Sequence, residues 1–294
     1  MKTKMLKILV LVIMFLGAGT MTVVAQYDKN PQKNIAGDLE EPEANIVERQ
    51  NYKERFPIQY PPLREADLMW QKRVWREIDF VKKQNHPFYF PTEPKYGRAS
   101  FASVVMDSIK AGNIVAYEHN EPMLFQLPLT PPQFEDLITS EEEIVSTKQM
   151  EDGSTQEVTE VIPTEIKPSD IRRIRLMEDW YFDKQRSMFE VRILGVGFIT
   201  IDEDGRRETK FWIYYPHSRR ALARAENLVA GGNRANAYAY TTMLEKRKFS
   251  GLITKVDNVY DRYINSYTKQ QESLYEAERL KREILEFEND LWEY

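Results

Sequence analysis

Met188-Phe-Glu-Val-Arg-Ile-Leu-Gly-Val-Gly-Phe-Ile-Thr-Ile201 carries the period of a half-covered β-strand, because Phe189, Val191 and Ile193 alternate with Glu190 and Arg192. It is the middle of three β-rich segments, 171–183, 188–201 and 207–215. The polar runs Asp183-Lys-Gln-Arg-Ser187 and Asp202-Glu-Asp-Gly205 separate them. Phe211, Ile213 and Tyr215 repeat the alternation in the last segment. Three neighbouring strands joined by short polar turns predict an antiparallel meander with one covered face, and helices must supply the cover. The expected fold class is therefore α+β: an antiparallel sheet packed by helices, with an extended N-terminal arm and a long C-terminal helix.

Downstream of the meander, Pro216-His217-Ser218 is read as the cap of an alanine-rich helix over 219–230, ended by Gly231-Gly232. A second helix follows over 235–247, which completes a region of sheet plus helices over 170–255. Residues 256–294 contain no Pro or Gly and are dense in Glu, Lys, Arg and Leu. Tyr260, Tyr263, Tyr267, Leu274 and Ala277 trace one helical stripe, and Leu280, Ile284, Phe287 and Leu291 another. One continuous helix of that length would reach about 55 Å, so part of it is expected to project or to pair with another chain.

Upstream, residues 135–169 hold ten acidic residues against Lys148 and Lys167, and no aromatic residue occurs from Glu135 to Asp179. Such a segment has little to bury, so a mobile acidic loop, or a poorly covered hairpin around Asp152-Gly153, is expected to divide the chain into two lobes. The N-terminal lobe, 62–134, reads as helix-rich. Leu63, Trp70, Val74, Ile78 and Val81 recur at helical spacing from Pro62 to a stop at His86-Pro87, and 100–110 reads as a second helix ended by Gly112. The aromatic run between Asn85 and Pro91 should be extended, 114–117 a short strand, and Thr130-Pro131-Pro132 a turn. Residues 26–61 are polar and proline-bearing, an extended arm.

Lys2, Lys4 and Lys7 precede an apolar run from Ile8 to Gly17 and the small-residue pattern Val23-Val24-Ala25, which reads as a cleaved secretory signal over 1–25. The run is short of the roughly 20 residues that span a bilayer, so no direct membrane span is expected. Export is expected to place the product outside the cytoplasm. Net charge over the whole chain is −5, with no basic excess for nucleic acid. There is no Cys, which removes disulfides, thiolate metal sites and a Cys nucleophile.

His86, His119 and His217 are the only histidines, and none stands in a metal-ligand spacing. Gly195-Val-Gly197 lacks the third glycine of a dinucleotide fingerprint, and neither a phosphate-binding loop nor a serine-nucleophile elbow occurs. Asp202-Glu-Asp204-Gly205 opens like a calcium loop, but Arg206 and Arg207 break the ligand series, so it is read as a hairpin turn. No catalytic, cofactor-binding or metal-binding residue is expected, and the chain is read as a non-enzyme without cofactor.

Three stretches together resemble the GldN/PorN family: Pro62-Leu-Arg-Glu-Ala-Asp-Leu-Met-Trp-Gln-Lys-Arg-Val-Trp-Arg-Glu-Ile-Asp79 with the Asn85-His-Pro-Phe-Tyr-Phe-Pro91 that follows, Phe211-Trp-Ile-Tyr-Tyr-Pro216, and Phe249-Ser-Gly-Leu-Ile-Thr-Lys-Val-Asp-Asn-Val-Tyr-Asp-Arg-Tyr-Ile264. The similarity spans about residues 60 to 290. It implies a structural subunit of a periplasmic ring associated with the outer membrane in the type IX secretion and gliding-motility machinery. It further implies partners of two kinds besides further copies of the chain: a GldK/PorK-like outer-membrane lipoprotein and a GldM/PorM-like motor protein.

If the chain works by assembly, aromatic and Arg side chains on its helices are the first candidates for contact residues: Trp70, Trp75, Tyr260, Arg262, Tyr263, Tyr267 and Tyr275. The alternative is a stand-alone periplasmic hydrolase or solute-binding protein, which requires a deep pocket with convergent polar groups.

Overall fold

The computed structural model describes residues 55–95, 97–119, 125–149, 155–201, 205–228, 237–269 and 271–290, with 140–149 and 155–164 described as backbone alone. All of them belong to one compact unit, Arg49–Tyr294. The expected signal sequence, most of the expected arm, and the turns expected at Asp152-Gly153, Asp202–Asp204 and Gly231-Gly232 lie outside the described residues.

In chain order the elements are β1 (Leu68–Asp79), α1 (His86–Tyr89), α2 (Phe101–Lys110), β2 (Ala116–Glu118), β3 (Pro128–Leu129), α3 (Pro131–Ile138), β4 (Thr139–Gln149), β5 (Thr155–Glu165), β6 (Arg173–Asp183), β7 (Met188–Ile201), β8 (Arg207–Tyr214), α4 (Tyr215–Ala223), β9 (Glu226–Leu228), β10 (Ala237–Ala239), α5 (Tyr240–Glu245), β11 (Gly251–Val256), α6 (Ile264–Tyr267) and α7 (Gln271–Asp290). Seven strands form one antiparallel sheet in the order β11-β1-β6-β7-β8-β2-β3. The β6-β7-β8 meander and the α+β class stand as the alternation implies.

The largest difference from the sequence reading is β1. The segment expected as the first helix is instead a twelve-residue strand inside the sheet, between β6 and β11. Trp70, Val74 and Ile78 are spaced by four, and that spacing keeps residues on one face of a helix and of a strand alike, so the period alone does not separate the two. Two β-branched and two aromatic residues, with neighbours to pair on both sides, favour the strand. Since β1, β2 and β3 join the same sheet as the meander, the chain does not divide into two lobes.

Other boundaries shift for local reasons. Helix α2 matches its expectation, with Ser100 as N-cap accepting from the Ser103 N–H. The Pro131-Pro132 pair opens α3, capped by Thr130 and Gln133, where a turn was expected. Thr139–Gln149 and Thr155–Glu165 pair as a separate two-stranded antiparallel sheet. The aromatic run after Asn85 begins as α1 instead of extended chain. Helix α4 stops at Ala223, because Glu226–Leu228 pairs with Ala237–Ala239, and the next helix shortens to α5. The long C-terminal helix is broken: a turn over 257–263 and the short α6 precede the twenty-residue α7.

One face of the sheet is covered twice. Ile78, Ile174, Leu176, Val196, Phe198, Phe211 and Ile213 pack against α1–α5 through Phe88, Phe101, Val105, Phe134, Leu222 and Leu244. Beside this core, Val74, Ile253 and Val256 pack against Ala277, Leu280 and Ile284 of α7, so α7 lies back on its own sheet. Trp70 closes that second core by stacking on Phe287 at 4.7 Å. On the opposite face Trp75, Met177 and Trp212 form a third apolar group. Trp212 lies flat over Gly197, where a Cβ would sit 2.8 Å from its ring, and its indole N–H donates to Nδ1 of His119 at 2.9 Å.

Candidate functional site

Where β11 ends at Val256, Asn258 organises the turn to α6. Its side-chain amide donates to the carbonyls of Val256 (2.7 Å) and Arg262 (3.0 Å), and its Oδ1 accepts the backbone N–H groups of Tyr260 and Arg262, each at 3.1 Å. Asp261 adopts a left-handed φ of 49°, a region Asp tolerates better than most residues. Its carboxylate holds the buried Lys255 ammonium at 2.7 Å. Lys255 in turn lies over the rings of Trp75 (4.5 Å) and Tyr263 (4.9 Å), which anchors the turn to the sheet.

A turn closed by its own bonds leaves its tip outward. Val259 is 99% exposed and Tyr260 is 73% exposed. The Arg262 guanidinium lies 4.4 Å from the Tyr260 ring and 5.5 Å from that of Tyr267. Tyr267 donates to Glu276 at 3.4 Å, Arg279 bonds both Glu276 and Glu283, and Lys72 of β1 reaches Glu283 at 2.9 Å. The Arg279 hydrogen bond draws the Glu276 carboxyl below its ordinary range, and Lys72 does the same to Glu283. Burial, helped by Glu276, raises the Tyr267 phenol. This network fixes the turn, α6, α7 as far as Glu283, and β1 to one another.

The seven residues singled out from the sequence therefore divide. Trp70 and Trp75 are spent on intramolecular packing, and Tyr263 bonds Arg175 at 3.4 Å besides underlying Lys255. Tyr260, Arg262, Tyr267 and Tyr275 stay exposed at the same end of the molecule, where Leu274 is also half-exposed. Sequence reasoning missed Asn258, Val259 and the Glu276–Arg279–Glu283 ladder. Asn258 and Asp261, two turn formers six and three positions before α6 opens at Ile264, were the available signal that no helix passes through them.

Among the described residues no group of three or more His, Cys, Asp or Glu side chains could hold a metal ion. No helix among them is long and apolar enough to cross a membrane. What the fold presents is an α+β protein built on a seven-stranded antiparallel sheet, with a preformed tyrosine–arginine surface at the sheet's β11 edge. A family profile described as "Gliding motility associated protein GldN" matches residues 63–293. The chain belongs to the GldN family, a gliding motility associated family and not a known enzyme family. No curated protein matches the sequence.

Proposed function

We propose that the chain is a non-enzymatic structural subunit of a periplasmic, outer-membrane-associated ring in the type IX secretion and gliding-motility apparatus. In this reading the exported, processed protein joins a GldK/PorK-like lipoprotein on one side to a GldM/PorM-like motor protein on the other, and contacts further copies of itself around the ring. Membership of the GldN family over residues 63–293 carries the proposal. The Tyr260–Arg262–Tyr267–Tyr275 surface supports it physically. Large aromatic and guanidinium groups held in place before binding lose little side-chain entropy on association, which is how a small patch gains affinity.

A repeated heterologous contact around an axis closes into a ring, so the reading makes a definite requirement of mass. Co-expression of the full-length chain with the lipoprotein, followed by size-exclusion chromatography with light scattering, should give a complex of many copies of both. A chain that stays monomeric beside its folded lipoprotein contradicts the proposal.

A further inference from the structure

The two helical lids on the covered face cover separate apolar clusters. Between the α1–α5 group and α7 the sheet's floor carries charge: Glu178, wholly buried, receives Arg76 (3.3 Å), Arg247 (3.1 Å) and the Trp180 indole N–H (3.1 Å). All three donors converge on Oε2, and Oε1 has no hydrogen-bond partner among the described residues. A buried carboxylate oxygen without a donor is costly, and two guanidinium groups sharing one carboxylate leave a positive excess. Burial lowers the Arg76 pKa from its ordinary value. Arg247 takes a left-handed φ of 50°, and its guanidinium lies over the rings of Trp180 (4.9 Å) and Phe249 (5.4 Å).

Above this floor lies a cleft of about 560 Å³ walled by Trp180, Phe189, Phe249 and Leu285, with Lys281 at its rim. Val191 and Arg247 also line a second cleft, of about 280 Å³, beside Arg192, Arg219 and Glu245. Both clefts border a bare stretch of strand. β8 pairs only with Gly195–Ile201 of β7, so residues 188–193 have β6 on one side and no strand on the other among the described residues.

An extended segment of this chain, residues 58–61, already forms one wall of the smaller cleft. Arg219 donates to the Ile58 carbonyl at 2.6 Å and Arg192 to the Pro61 carbonyl at 2.5 Å. The Tyr60 ring sits between them, 3.9 Å from the Arg219 guanidinium and 5.1 Å from that of Arg192. Burial there pushes the Tyr60 phenol up to about 12. The smaller cleft thus shows the chemistry by which it holds a chain: guanidinium groups on backbone carbonyls and on an aromatic ring. The wider cleft offers the same groups, Arg76 and Arg247 among aromatic walls, with Lys281 and one carboxylate, Glu288, also in its lining, so that its cations outnumber its anions.

We propose that the wider cleft is the docking site for an extended, acidic, aromatic-bearing segment of a partner protein, lying along residues 188–193 in continuation of residues 58–61. Aromatic side chains of that segment would enter between Phe189, Phe249 and Leu285, and its carboxylates would meet Lys281 and Arg247. The inference does not depend on the chain forming a ring.

A fluorescein-labelled octapeptide of alternating Glu and Phe tests it by fluorescence anisotropy on the purified full-length protein, with a Lys-Phe and a Glu-Ser octapeptide for comparison. Saturable binding of the Glu-Phe peptide is expected, at least about tenfold tighter than either control, a factor worth about 1.4 kcal/mol. Lys281→Glu and Leu285→Arg, both at exposed positions on α7, should each weaken it about tenfold without changing the melting temperature. No saturable binding up to about 1 mM, equal binding of a control peptide, or equal affinity in both variants overturns the proposal.

Discussion

Trp212 and Tyr260 are both large aromatic residues in aromatic-rich stretches, yet the first is wholly buried and the second is 73% exposed. The region around Trp212 spends its rings on the sheet: Gly195 and Gly197 clear a flat bed for the indole, and Phe125 meets it edge-on at 6.3 Å. Residues 257–269 and 271–283 instead use hydrogen bonds and ion pairs for their own rigidity, through Asn258, Asp261 and Arg279, and so keep Tyr260 and Tyr275 free of the core. The difference teaches that a surface is available for contact when polar groups, not its apolar ones, hold it in shape.

That contrast can be broken from either side. Trp212→Ala removes a buried ring over two glycines and should cost about 3–5 kcal/mol in urea unfolding, the largest effect here. Ile284→Ala, under α7, should cost about 2–4 kcal/mol and loosen α7 in hydrogen exchange, since Val74, Ile253 and Leu280 would line the gap. Asn258→Ala removes four hydrogen bonds from a partly exposed turn, so about 1–2 kcal/mol is expected, with faster exchange of the Tyr260 and Arg262 amides.

Acidification should give the smallest change. The Glu276 and Glu283 carboxyls have folded-state values below the ordinary 4.5, so their ion pairs stabilise the fold above that value, and the contribution disappears as pH falls through the lowered values. Both pairs lie at the surface and are screened by solvent, which limits the loss to about 1 kcal/mol or less. Unfolding midpoints compared between pH 6 and 3, in native protein and Arg279→Ala, measure it. An equal pH response in the two would show that the ladder adds nothing.

Much of the frame was legible because alternation is unambiguous where it extends: Phe189, Val191 and Ile193 could only share a face as a strand. β1 was not, since Trp70, Val74 and Ile78 satisfy two periods at once, and only pairing with β6 and β11 selects one. At the C-terminal end, Tyr260 and Tyr263 fit the helical stripe of Tyr267 and Leu274, but four side-chain bonds from Asn258 override that weak propensity. The residue types of the contact surface were visible in the sequence. Which of them remain free depends on tertiary contacts such as Trp70 with Phe287 and Lys255 with Tyr263, which no local pattern encodes.

The central claim is that the exposed tyrosines at the β11 edge carry association while contributing little to folding. It is tested most directly by the double variant Tyr260→Ala, Tyr275→Ala, measured for unfolding and for complex mass by light scattering when co-expressed with the lipoprotein partner. The account predicts stability within about 0.5 kcal/mol of the native protein and loss of the high-mass complex. A native-sized complex from an equally stable double variant would contradict it.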